Sequence, residues 1–128
     1  MTNQLSVGMD WLRSQLQEHA GTPIVYRRGA DSVAITATVG MTEYEHDPGT
    51  GFIVRFASRD YIIQASSLVF GGVVSLPIPG DLIEETQGHL RHVHEVTEIS
   101  GATNYKPCDQ FRTMLRIHTK QRRVERIQ

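Results

Sequence analysis

Hydrophobic and polar positions change period once along this 128-residue chain. Leu5, Met9, Leu12 and Leu16 recur at the spacing of one helix stripe, whereas Asp10, Arg13, Gln17 and Glu18 fall mostly off it. With Ser6 as N-cap and Gly21 followed by Pro23 as the stop, the pattern predicts an amphipathic α-helix over about residues 6–20. Trp11 sits beside the stripe, where its ring either covers an edge of the core or meets a neighbouring subunit.

From Thr22 onward the period is two. Val33, Ile35, Ala37 and Val39 alternate with Ser32, Ala34, Thr36 and Thr38, as in a strand with one buried face. The β-prone stretch PIVYRR, residues 23–28, precedes it across the small and polar corner at residues 29–32, which predicts a hairpin. Phe52, Val54 and Phe56 alternate likewise, and YIIQ resumes after the polar corner Ser58, Arg59 and Asp60, a second expected hairpin. PIPGD at residues 77–81 is a stiff turn opening a strand near Leu82, because Pro presets φ and Gly supplies a positive one. Two further β segments fit residues 89–99 and 111–120. The fold class expected is mainly β: a small β-barrel or sandwich of about seven strands, with one N-terminal amphipathic α-helix.

Two segments read differently. Residues 42–51, TEYEHDPGTG, are polar, acidic and Gly/Pro-containing, and predict a long mobile hairpin loop. Residues 121–128, QRRVERIQ, read as a basic C-terminal tail, frayed or docked on a partner, beyond a single domain spanning 1–120.

Length suits one domain with one core. Thirteen basic and fourteen acidic residues leave a net charge of −1, so nothing global attracts nucleic acid or an anionic membrane. Local charge is uneven. Residues 81–98 carry five carboxylates (Asp81, Glu84, Glu85, Glu95, Glu98) against Arg91, while residues 112–128 carry Arg112, Arg116, Lys120, Arg122, Arg123 and Arg126 against Glu125. Such stretches either fold onto each other or meet head to tail between neighbouring copies. Cys108 is alone, so no internal disulfide is expected, in keeping with a reducing cytoplasm. The N-terminal stretch has neither the basic start nor the apolar run of a secretory signal, and no run reaches the roughly 20 apolar residues that span a bilayer.

Chemical signatures are sparse. His92 and His94 lie two apart on an expected strand and face the same way, but no third ligand accompanies them, so no metal is expected. Glu84 beside Glu85 puts two carboxylates on opposite faces of a strand, and no nucleophile elbow, phosphate loop or dinucleotide fingerprint occurs. The expectation is no enzyme, no catalytic residues and no cofactor.

The order of features carries a resemblance: an N-terminal helix, SRDYIIQASSL, PIPGDLIEE, HVHEVTEI and the strand FRTMLRIHTK. It resembles the small head–tail joining proteins (connectors, adaptors, stoppers) of tailed bacteriophages, with a phrase P-x-x-G-D-x-I before a strand of the type Y-x-V-x-x-V. Pro77, Gly80, Asp81 and Ile83 match the first phrase; His94, Val96 and Ile99 follow the second, with His94 where an aromatic is usual. The resemblance implies a β-barrel protomer of the virion neck, assembled in the host cytoplasm into a homo-oligomeric ring. Its implied partners are a portal or adaptor protein and tail or terminator proteins, with packaged DNA retained or passed through the lumen without sequence-specific binding, and no membrane. Interface residues expected on this reading are Trp11, Glu43, Glu45, Asp47, Arg112, Arg116, Lys120, Arg122, Arg123 and Arg126. The alternative is a small barrel binding single-stranded nucleic acid through Arg27, Arg28, Arg55, Phe52, Phe56, Tyr61 and the basic C-terminal strand.

Overall fold

Period-two alternation produces strands over most of the chain. A computed structural model describes residues 21–46, 49, 51–99 and 103–127; the helix expected at residues 6–20, Trp11 and Asp47 lie outside them. In β1 (Thr22–Arg28), Ile24 and Tyr26 are buried while Pro23 and Arg27 are exposed. Gly29, at φ 61°, supplies the left-handed turn to β2 (Asp31–His46), with Arg28 opposite Asp31, as the first expected hairpin requires. Then follow β3 (Val54–Gln64), a 3-10 turn (Ala65–Ser67), and the short pair β4 (Val69–Phe70) and β5 (Val73–Val74). The remaining strands are β6 (Leu82–Gln87), β7 (Leu90–Val96), β8 (Tyr105–Pro107) and β9 (Met114–Arg126).

Seven strands form one antiparallel sheet in the order β3, β2, β1, β6, β7, β9, β8; β4 and β5 pair separately. β3 also pairs with β9, from Arg59 opposite Thr119 to Gln64 opposite Met114, so six strands follow one another around a closed circuit. Inside it lie Ile24, Tyr26, Ile35, Ala37, Tyr61, Ile63, Ile83, Val96, Leu115 and Ile117, with Leu68 joining the same cluster. The PIPGD turn behaves as its residues dictate: Gly80 takes φ 98°, which a Cβ disfavours, and β6 begins at Leu82.

Three expectations change. The loop expected at 42–51 is strand as far as residue 46, pairing from Thr42 opposite Ser58 to His46 opposite Val54. Its acidic content masked an alternation in which Tyr44 stacks on Phe56 and Glu45 faces Arg55 across the pair. The corner expected at Ser58, Arg59 and Asp60 is the middle of β3, so the second hairpin joins β2 to β3 rather than residues 52–56 to 61–64. The strand pairing runs unbroken through that triplet because its polar groups find partners inside the protein, although the apolar positions change face there. Finally, the segment read as a tail continues β9 to Arg126, paired with β7 from Lys120 opposite Glu95 to Arg126 opposite Leu90. Basic composition misled there: β9 contributes Leu115 and Ile117 to the core, but beyond Lys120 it has no buried side chain and so no apolar alternation to read.

Candidate interaction surfaces

The conspicuous polar clusters serve the interior. Asp60, fully buried on β3, accepts hydrogen bonds from Ser58 Oγ (2.6 Å), Thr42 Oγ1 and Arg116 Nη1 (2.8 Å), and its Oδ1 lies 2.9 Å from His118 Nδ1. Burial opposes its ionisation, but these four hydrogen bonds outweigh burial and hold its pKa below the usual carboxylate value. Gly40, opposite Asp60, has no side chain to obstruct the Arg116 guanidinium, which would come within 3.4 Å of an added Cβ. Serine, histidine and aspartate thus meet without forming a nucleophile: the Ser58 hydroxyl donates to the carboxylate, not to the imidazole.

A second cluster centres on Glu85, which accepts from Arg59 Nη2 (2.8 Å), Tyr61 Oη (2.8 Å) and Gln87 Nε2 (2.6 Å). Burial again opposes ionisation, and the donors, Arg59 first, lower its pKa nonetheless. A third ties the PIPGD turn to β1: Asp81 accepts from Tyr26 Oη, from Arg28 Nη2 (2.9 Å) and from the Ile78 amide (3.0 Å). Burial pushes the Tyr26 hydroxyl's pKa well up, and the Asp81 carboxylate adds to it, so Tyr26 remains a donor.

His92 and His94 do share one cavity, of about 180 Å³, with Arg59, Gln87 and Gln121. Among the described residues no group of three or more metal-ligating side chains forms. His94 is only 4% exposed, stands edge-on to Tyr61, and its Nδ1 has no hydrogen-bond partner. Burial, then the Arg59 charge, lowers its pKa to about 4. Cys108 is exposed and free of any disulfide.

Charge complementarity is largely satisfied within the chain. Asp81 pairs with Arg28, Glu84 with Arg27 and Arg91, Glu85 with Arg59, and Glu95 lies 3.9 Å from both Lys120 and Arg122. Arg123 bonds Glu125, and Arg116 is taken by Asp60. Arg112 and Arg126 are exposed, Arg112 in the turn before β9 at φ 55°. Glu43 and Glu45 are exposed on β2, and Arg55, exposed on β3, lies 3.4 Å from Glu45. Of the groups put forward for nucleic acid, Arg27 and Arg28 are ion-paired and Tyr61 is core.

Exposed apolar side chains gather at the two ends of the strands. At one end β4 and β5 pack where β1 finishes: Phe70 lies against Tyr26, under the Arg28 guanidinium 5.0 Å from its ring centre. Val73, Val74, Leu76 and Ile78 there are half exposed or more. At the other end are Met41, Phe52 and Ile53, the last two over 65% exposed. Sequence reading missed the first group and took only Phe52 from the second, as a nucleic-acid contact: residues 73–78 carry no periodic signal, and Met41 and Ile53 look like core by type alone.

A β domain that uses its polar groups internally and leaves apolar side chains at both ends has the character of a structural, contact-making protein. The family model described as phage head-tail joining protein matches residues 2–126, and the chain belongs to that family. No curated protein matches it. Membership identifies a bacteriophage structural protein of the virion neck that interacts with head and tail components. Among the described residues, no helix is long and apolar enough to cross a membrane.

Proposed function

We propose that the chain assembles as a homo-oligomeric ring in the neck, joins the portal-bearing capsid to the tail, and helps retain the packaged DNA. The closed strand circuit is the barrel scaffold of each protomer. The observation that carries this reading is the pair of exposed apolar groups at opposite ends of the strands, around Val73 to Ile78 and around Met41 to Ile53, in a family that joins heads to tails. Two ends with burial still to gain suit a part held between two neighbours, a portal or adaptor protein on one side and a tail or terminator protein on the other. Glu43 and Glu45 repel DNA phosphates, which favours passage or gating over gripping. No turnover and no cofactor form part of the proposal. Assembly in the host cytoplasm accords with it.

The test is assembly without this chain. Filled heads and complete tails are expected to accumulate unjoined in electron micrographs and to join when purified chain is added; joined virions formed in its absence would overturn the proposal.

A further inference from the structure

Resting on the ring reading, we infer that neighbouring copies join through their β2–β3 ribbons, the β2 edge of one copy pairing antiparallel with the β3 edge of the next. β1 reaches only as far as Thr22 opposite Ala37, so among the described residues no strand lies on that side of β2 over residues 39–46. β9 covers β3 only over residues 59–64, so residues 54–58 have β2 as their one described strand partner. Beyond the circuit the ribbon is therefore two-stranded among the described residues, an arrangement marginal by itself in water.

Strand edges are commonly blunted by proline or by charged side chains, lysine above all; residues 39–46 and 54–58 contain no proline or lysine, and their charges, Glu43 and Glu45 on one strand and Arg55 on the other, are of opposite sign. The two edges also point in opposite directions around the sheet. Copies in the same orientation bring the β2 edge of one against the β3 edge of the next, and each addition leaves a fresh edge, the condition for a ring of like subunits. Charge matches this order. Glu43 and Glu45 lie on one face of β2, and Arg55 lies on the same face of β3, since it stands opposite Glu45. The carboxylate–guanidinium contact made within one ribbon, 3.4 Å from Arg55 Nε to Glu45 Oε1, is thus available again between ribbons. The charged faces then line one side of a continuous sheet of ribbons.

Two full-length variants test this. One carries Arg55→Glu, giving an all-acidic ribbon face; the other carries Glu43→Arg with Glu45→Arg, giving an all-basic one. Circular dichroism checks that each folds. Sedimentation is run alone and with the head and tail proteins encoded beside the chain. Each variant alone is expected to associate at least about tenfold more weakly than the parent, and an equimolar mixture to recover parental assembly, because both kinds of junction then pair opposite charges. In a Cys108→Ser background, a Glu45→Cys chain mixed with an Arg55→Cys chain is expected to give a covalent dimer with a short bismaleimide. Parental assembly by each variant alone, or no mixed cross-link in assembled material, overturns the edge pairing and leaves the ring reading standing. A parent chain that never self-associates, even with its neighbours, overturns both.

Discussion

Asp60 on β3 and His118 on β9 stand directly opposite each other in the pair of strands that closes the circuit, with Oδ1 and Nδ1 2.9 Å apart. Both are essentially inaccessible to solvent, and Arg116, Ser58 and Thr42 complete the shell of Asp60. Removing the carboxylate leaves Arg116 and His118 without their shared acceptor at the seam. Asp60→Ala is expected to lower the unfolding free energy by about 3 kcal/mol or more, measured by urea denaturation. A loss below about 1 kcal/mol, the range of a surface ion pair, would show that the seam does not depend on this group.

The acid side of the stability profile has two components. His94 in the folded protein takes a proton only near pH 4, against 6.5 for an ordinary histidine. Between those values the unfolded chain binds the proton and the folded one does not, so stability falls as pH drops from 6.5 to 4, by about 3 kcal/mol in full. Asp60 and Glu85 have depressed pKa values, so their contribution is present above the ordinary carboxylate range and lost on further acidification. Replacing His94 by Phe keeps a ring against Tyr61 and removes an unpaired buried nitrogen. The expected result is a stabilised protein whose melting temperature no longer slopes between pH 6.5 and 4.5. An unchanged slope would place its origin elsewhere.

Asp81 anchors the PIPGD turn to Tyr26 and Arg28 of β1. Tyr26→Phe removes one donor and is expected to cost about 1–2 kcal/mol; Asp81→Ala strands the phenol, the guanidinium and the Ile78 amide together and is expected to cost more. Thermal melts of the two single variants and the double variant check this. The double variant should lose less than the sum of the singles, because the first deletion already breaks the shared contact; strict additivity would show that the groups act independently.

Much of this protein was legible in its sequence where chemistry is local. The hairpin at Gly29, the turn at Gly80 and the strand through Val33, Ile35 and Ala37 depend on φ preferences and period two, which residues announce by themselves. Ser58, Arg59 and Asp60 resemble a corner because three polar residues in a row look like a turn and the apolar positions change phase across them, although the strand continues. Their partners, Thr42, Arg116, His118 and Glu85, lie 18 to 58 positions away in sequence, and no local pattern encodes such pairings. The same holds for the surface. Charge stretches at 81–98 and 112–128 were visible as complementary, but register decided that Glu95 meets Lys120 and that Arg91 stands opposite Glu125 within one chain.

That register gives the C-terminal residues a different role from the one their composition predicts. Gln121, Arg123, Val124, Glu125 and Arg126 sit opposite His94, Val93, His92, Arg91 and Leu90, and the Ile127 amide donates to the His89 carbonyl at 2.7 Å. Truncation after Lys120 leaves β7 without its partner over those five positions and opens the cavity at His94 that Gln121 helps to line. The lost backbone hydrogen bonds and cross-strand contacts are each worth about 1 kcal/mol or less, and together they exceed what a marginally stable domain tolerates easily. The truncated chain is expected to melt at least about 10 °C lower or to be recovered unfolded. Arg122→Ala and Arg123→Ala in the full chain, which remove only exposed charges, are expected to shift the midpoint little. A truncated chain with parental stability would return residues 121–128 to the status of a docking tail.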